Sequence, residues 1–322
     1  MVKPRILLHG GAGSWKDSSV KEKAMEVMHR CTRHAYKVLL NSGASDAVVE
    51  AVRCMEDSGY LNAGWGSVLD LLGGRSLDAG YMDSTGNVGA VAAVIATRNP
   101  VVLARIVALE TPHILLGGEG ADRLAILKHL PPLPPPPKHV YERYRQALEK
   151  LFKGEVKVYG KAILEFLSKN KDYEALVRSI ARIGDTVGAV AIDANGLLAA
   201  AVSTGGIILK LPGRIGDSPI PGAGFYASAE TACSATGWGE QIIKSMPCMM
   251  LDRFYNETGD FEKALDKTIE YVESTVGKDT MGFIAVSKNG ELGWRYNTEA
   301  MLIGYVDEEG KIVVNDKRSR PP

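Results

Sequence analysis

The chain has 322 residues, 45% hydrophobic and 24% charged, the balance of a globular protein with room for one large core or two modest ones. Basic and acidic residues number 38 each, so no bulk charge draws the chain to nucleic acid or an anionic membrane. The longest apolar run, Val88 to Ala96, is too short to cross a bilayer. Arg5-Ile-Leu-Leu-His9 enters a strand too early to leave room for a signal peptide, so a cytoplasmic protein is expected.

A strand is expected over Pro4–Gly13, then helices over Ser18–Asn41 and Ser45–Asp57, stopped by Gly43 and Gly59. A glycine-rich stretch, Leu61-Asn62-Ala63-Gly64-Trp65-Gly66, comes next. Strands over Ser76–Asp83 and Val88–Ala96 turn at Ser84-Thr85-Gly86-Asn87. The second is apolar throughout, as a strand covered on both faces should be. A helix Pro100–Glu110, a short strand His113–Leu116 and a helix Gly120–Leu130 follow. Pro131–Pro137 reads as a stiff spacer, and the charged, weakly amphipathic stretch His139–Arg182 as a surface linker outside the core.

The second half opens with apolar strands Thr186–Asp193 and Leu197–Ser203, joined at Asn195-Gly196, a strong hairpin signal. Helices Gly239–Glu257 and Phe261–Val276 precede strands Thr280–Ser287, Gly290–Tyr296 and Met301–Val306. Hairpins of two-sided strands with helix pairs in each half fit an α/β fold of four layers, two stacked sheets between helices. A doubly wound parallel sheet fits less well, because strands and helices do not alternate one for one. Cys31, Cys54, Cys233 and Cys248 show neither paired spacing nor metal-type clustering, and all four are expected reduced.

Phosphate-loop, dinucleotide, zinc-protease and serine-elbow motifs are missing from the sequence. Ser18-Ser-Val-Lys21 fits a Ser-x-x-Lys pattern but opens an amphipathic helix, where it reads as surface. Polar and glycine residues gather instead where apolar strands end. These are His9-Gly-Gly-Ala-Gly13, Ser203-Thr204-Gly205-Gly206, Gly213-Arg214-Ile-Gly-Asp217 and Ala235-Thr236-Gly237-Trp238-Gly239. A hydroxyl and a glycine amide can form an oxyanion hole. Arg214 and Asp217 can hold the two poles of a zwitterion, or simply pair with each other in a tight turn. Thr186 opens an apolar strand, which alone says little. Were the chain cut before it, the freed α-amine, with a pKa of about 7.7–8, would be a base for the hydroxyl beside it.

In this order, six motifs resemble the plant-type L-asparaginase and isoaspartyl peptidase family of N-terminal-nucleophile hydrolases. They are His9-Gly-Gly-Ala-Gly, Leu61-Asn62-Ala63-Gly, Asp185-Thr186-Val-Gly-Ala-Val-Ala, Ser203-Thr204-Gly-Gly, Gly213-Arg214-Ile-Gly-Asp217-Ser-Pro and Thr236-Gly237-x-Gly-Glu. The resemblance implies the αββα Ntn-hydrolase fold and a single domain. It also implies self-cleavage between Asp185 and Thr186 into residues 1–185, ending in the linker 131–185, and residues 186–322.

By the same resemblance Thr186 is the nucleophile, Thr204 its hydrogen-bonding partner, and Asn62 lies beside it. Thr236 and Gly237 stabilise the oxyanion, and Gly237 also touches the substrate amine. Arg214 holds the substrate α-carboxylate and Asp217 its α-ammonium. Backbone carbonyls of Met55, Glu56, Ser58, Leu61, Ala63 and Trp65 are implied to ring a structural Na+, and no other cofactor is needed. Against that stands a plain glycine-closed helix end. A homodimer of cleaved protomers is implied too, with small-molecule substrates and neither nucleic acid nor membrane as partner.

Asp before the nucleophile is shared with glycosylasparaginases, which makes sugar-linked asparagine the alternative substrate. A taspase-like endopeptidase fits less, since the Arg214/Asp217 clamp asks for free α groups. A binding protein of the same fold, with its site blocked by the linker, is the non-enzymatic reading.

Overall fold

In the computed structural model of the chain, the described residues are 2–13, 15, 18–155, 158–170 and 186–316. Asp185 and the basic residues Lys317, Arg318 and Arg320 lie outside them. Among the described residues, eight strands form one sheet and four another. Strands β1 (Arg5–Gly13), β2 (Leu77–Asp83), β3 (Val88–Val94), β4 (Leu115–Gly117), β5 (Thr186–Ile192), β6 (Leu198–Thr204), β11 (Ala300–Val306) and β12 (Ile312–Asn315) make the large sheet. Its order is β12-β11-β1-β5-β6-β2-β3-β4. The small sheet runs β10-β9-β8-β7, from β7 (Phe225–Ala227), β8 (Thr231–Gly237), β9 (Met281–Ser287) and β10 (Leu292–Tyr296).

The sheets face each other across an apolar core that includes Leu7, Val190, Ile192, Val202, Phe225, Ile284 and Trp294. Gly80 on β2 makes room for Phe225: a Cβ there would meet the ring at 2.1 Å. Helices α1 (Ser18–Ser42), α2 (Ala44–Glu56) and α3 (Pro100–Glu110) cover the outer face of the large sheet through Met28, Val48, Val52 and Val107. Helices α7 (Gly239–Ser245), α8 (Pro247–Thr258) and α9 (Phe261–Val276) cover the small sheet through Ile242, Leu251, Leu265 and Val272. The four-layer αββα expectation therefore holds.

Four local expectations are corrected. One helix was expected from Gly239 to Glu257. The chain instead breaks at Met246, a left-handed residue with φ 48°, because Pro247 cannot continue a helix and starts the next one. The stretch expected to be a surface linker forms, in its described part, α5 (Lys138–Phe152) and α6 (Val158–Lys169), after the short helix α4 (Gly118–Leu127); residues 171–182 lie outside the described ones. Tyr144, Leu148, Leu151, Ile163 and Leu167 bury against Leu69, Leu71 and Leu209 in a satellite core. Strands β7, β8 and β12 went unpredicted. Finally, Cys31 and Cys54 form a disulfide between α1 and α2, with Cα atoms 5.6 Å apart, a separation suited to bridging. Only Cys233 and Cys248 are free, both buried. Among the described residues, no helix is long and apolar enough to cross a membrane.

The disulfide sits just before the end of α2, where the chain turns into the loop carrying Asn62. Glu56, wholly buried, anchors that corner: its carboxyl accepts hydrogen bonds from Asn99 Nδ2 and Val101 N, both at 3.1 Å. It thereby caps the start of α3. Burial pushes its pKa up to about 8.

Candidate active site

Thr186 and Thr204 face each other as the first and last residues of the β5–β6 ladder. Their hydroxyl oxygens are 2.7 Å apart. Thr204 Oγ1 also accepts from Gly206 N at 2.8 Å and from Asn62 Nδ2 at 3.3 Å. A hydroxyl has two lone pairs and one proton. With both lone pairs engaged, Thr204 has its proton left to donate to Thr186 Oγ1. The Thr186 proton then points elsewhere, toward whatever base comes near.

Asn62 is locked from every side. Its Nδ2 also donates to Gly206 O at 2.8 Å, its Oδ1 accepts from Val68 N at 2.9 Å, and its carbonyl accepts from Gly205 N at 3.2 Å. Gly205 has no space for a side chain, since a Cβ would lie 2.6 Å from Asn62 Oδ1. The glycine-rich Ser203–Gly206 loop is thus an adaptor between Asn62 and the two threonines.

The second sheet supplies the other wall. Gly188 on β5 lies against Ser234 of β8 and His9 of β1; a Cβ on it would meet Ser234 Oγ at 2.2 Å and His9 Nε2 at 2.5 Å. His9 pairs with Gly188 across the β1–β5 ladder, and Ala12 lies beyond that pair, toward the Thr186 end. Ala12 N donates to Thr236 Oγ1 at 3.2 Å, which carries Thr236 to the same end and leaves its proton for another acceptor. Gly237 follows with φ 141°, and a Cβ there would stand 2.5 Å from Thr280 O, so only glycine fits. His9 is no base: burial drives its pKa down to about 3, and its Nε2 is held by Ser234 Oγ at 3.1 Å.

Of the two readings for Arg214 and Asp217, the tight-turn pair is not what forms. Arg214 Nε and Nη2 lie on Glu240 Oε1 and Oε2 at 2.9 and 2.7 Å, a two-pronged pairing. Asp217 is buried, and its Oδ2 has no hydrogen-bond partner among the described residues. Burial raises its pKa to about 7, against the pull of Arg214. Gly239 keeps the space between them open, since a Cβ would lie 2.7 Å from Arg214 Nη2 and 2.9 Å from Asp217 Oδ1. The result is a guanidinium held from one side and a carboxyl with no paired cation among the described residues, which suits a ligand bearing both charges.

The pairing of Glu240 with Arg214 is not foreseen by the motifs, although Glu240 stands three residues past Gly237 at the start of α7. Buried Lys210 and Asp78 were not singled out. Lys21 of the Ser-x-x-Lys pattern is paired with Asp316, in keeping with the surface reading. The loop after α2 is tightly folded. Met55 O accepts from Ser58 N at 3.2 Å, Leu61 O from Ala63 N at 2.8 Å, and Ala63 O from Gly66 N at 3.1 Å. Trp65 O accepts from Arg75 Nη1 at 3.1 Å.

A family model described as Asparaginase matches residues 2–314. The chain is similar to the plant-type L-asparaginase of Pyrobaculum calidifontis, 44% identical over 93% of this chain and 96% of that one. It is 38% identical to the plant-type L-asparaginase of Pyrococcus horikoshii, over 94% of this chain and 96% of that one. The isoaspartyl peptidase/L-asparaginase of Homo sapiens is 37% identical, over 93% of this chain and 92% of that one.

Proposed function

The chain belongs to the asparaginase family, and from that premise we propose that it hydrolyses the side-chain amide of asparagine and the isopeptide bond of β-aspartyl dipeptides, giving aspartate. The observation that carries this reading is the pair Arg214 and Asp217, one oriented by Glu240 and the other with no paired cation among the described residues. Together they suit the free α-carboxylate and α-ammonium that both substrates present.

In this reading the chain first cuts itself. Thr186 Oγ1 attacks the Asp185 carbonyl, the acyl group moves from nitrogen to oxygen, and water cleaves the ester. The freed Thr186 amine then takes the hydroxyl proton as Oγ1 attacks the substrate amide carbon. Thr204 donates to that oxygen and fixes its direction. The developing oxyanion is met by the Thr236 hydroxyl and the Gly237 N–H. The protonated amine hands its proton to the leaving ammonia or amino acid, and water repeats the sequence on the acyl-enzyme.

Sodium is part of the same proposal. The candidate donors at Met55, Glu56, Ser58, Leu61, Ala63 and Trp65 are carbonyls; Met55 O already accepts from both Ser58 N and Ser58 Oγ, at 3.2 and 2.7 Å, whereas Leu61, Ala63 and Trp65 each accept from one N–H among the described residues and keep a lone pair for an ion. Bound there, a hard monovalent ion would stiffen the loop that carries Asn62. We further assign a homodimer, on the exposed apolar residues Ile114 and Leu115 beside edge strand β4 and Ile126 and Leu127 on α4, which are 51 to 71% exposed. Light scattering on the cut protein tests it. The cytoplasm is the compartment we assign, which requires the Cys31–Cys54 bond between α1 and α2 to persist there against reduction; cell fractionation tests that.

The activity test follows ammonia from asparagine and amino acid from a β-aspartyl dipeptide, with the intact mass taken before and after incubation. Release by protein cut before Thr186 supports the reading. No release by fully cut protein ends it, and release from sugar-linked asparagine alone shifts it to a glycosylasparaginase.

A further inference from the structure

Lys210 is fully buried, a rare place for a lysine. Among the described residues its ammonium makes one hydrogen bond, to Ser76 O at 3.0 Å. Its counter-charge is Asp78, also fully buried. Asp78 stands opposite Thr204 in the β2–β6 ladder, and its carboxylate accepts from Ala93 N at 2.9 Å and Gly216 N at 3.5 Å. The fold thus spends a second cation beside Arg214, where like charges repel and burial is costly.

The place it occupies is specific. A Cβ built on Gly206 would meet Lys210 Cδ and Nζ at 2.9 Å and Arg214 Nη1 at 3.3 Å. Lys210 and Arg214 therefore converge on one face of Gly206. The peptide groups of that same glycine bond Asn62 and Thr204. Gly216, bonded to Asp78, lies against Arg214 as well: its Cβ would stand 2.7 Å from Nη1.

Glu240 neutralises Arg214 on one side, so the guanidinium alone offers an arriving carboxylate little net positive potential. We propose that Lys210 is a positioning residue of the α-carboxylate subsite, its buried ammonium set beside Arg214 and against Gly206, with Asp78 as the counter-charge that keeps it there. It adds positive potential where the substrate carboxylate binds and holds the glycine that links this subsite to the nucleophile's partners. This rests on the reading of Arg214 as the carboxylate ligand.

The test uses the self-cut enzyme and two competitive inhibitors. Aspartate carries the α-carboxylate; β-alanine keeps the amine and the reacting carboxyl but lacks it. Lys210→Met, similar in length and uncharged, is expected to raise the KM for asparagine and the Ki for aspartate about tenfold, the size of one charge-assisted interaction. The Ki for β-alanine should stay within about twofold, and Lys210→Arg should recover part of the loss. Unchanged constants, or equal losses for both inhibitors, overturn the proposal.

Should Lys210→Met not fold, Lys210→Gln, uncharged and still able to donate to Ser76 O, repeats the comparison. The Ki for aspartate should rise about tenfold while that for β-alanine stays within about twofold. An unchanged Ki for aspartate overturns the proposal. A wild-type enzyme inert toward asparagine would instead refute the activity itself, which keeps the two failures apart.

Discussion

Arg214 lies two-pronged on Glu240 at 2.9 and 2.7 Å, and this pairing leaves Asp217 without a paired cation among the described residues. The two ends of the clamp are therefore prepared in opposite ways. Glu240 fixes the cationic end before any ligand arrives, whereas the anionic end is completed by the ligand. Replacing Glu240 with Gln should let Arg214 swing toward Asp217. The expected outcome is a KM for asparagine raised about tenfold, with kcat changed much less, since the loss is one charge-assisted pairing in the binding site. Steady-state kinetics on the cut enzyme checks it.

Asp217 sets a pH limb. Its pKa is raised to about 7 by burial, and the neutral acid cannot pair with an ammonium. Because protonation removes the useful form, kcat/KM for asparagine should fall as pH drops through about 7, a limb separate from the one the Thr186 amine sets at about 7.7–8. Asp217→Asn should abolish that limb and weaken binding by at least about tenfold. A pH–rate profile of both proteins measures this.

The 2.7 Å contact between Thr186 and Thr204 predicts a kinetic split. Thr204→Val keeps the shape and removes the donor, so kcat should drop by about a hundredfold, and self-cutting should slow as well. Thr186→Ala should abolish both. Gel bands over time report the cut, and ammonia release reports the turnover.

Trp238 sits between Gly237 and Gly239. It lines a cavity of about 840 Å3 together with Tyr159, Ile207, Ile208 and Lys278. Trp238→Gly should lower the KM for β-aspartyl dipeptides with a large second residue by about fivefold. Asparagine, whose leaving group is ammonia, should be affected less than twofold. Comparing β-aspartyl-leucine with asparagine on both proteins decides it.

Cys31 and Cys54 close a loop with a sequence separation of 23, a span for which loop entropy gives about 3 kcal/mol. Cys54→Ser should lower the melting temperature by several degrees, and a reducing agent should do the same to wild type but not to the variant. Calorimetry with and without reductant checks this.

Long apolar runs made much of the fold legible. β5 and β6 follow from two-sided hydrophobicity and the Asn195-Gly196 turn, and α3 starts where Pro100 says it should. What escaped depends on partners distant in the chain. β8 reads Thr-Ala-Cys-Ser-Ala-Thr-Gly, too small and polar to look like a strand; it is one because β9 supplies its hydrogen bonds. The disulfide needed the packing of α1 on α2, which spacing does not encode. The site was legible as a set of motifs. The partner of Arg214 was not, because Glu240 lies 26 residues away and only the fold brings it nearer than Asp217.

In the large sheet β11 and β12 are followed by β1, then β5 and β6, then β2, β3 and β4. A break before Thr186 therefore divides the chain but not the body, for strands from the two fragments alternate in blocks through one hydrogen-bonded ladder. Neither fragment owns the large sheet, although the small one lies wholly within residues 186–316. They should copurify under native conditions and come apart in denaturant. Their reassembly should depend on concentration, as for two partners meeting, although they began as a single polypeptide.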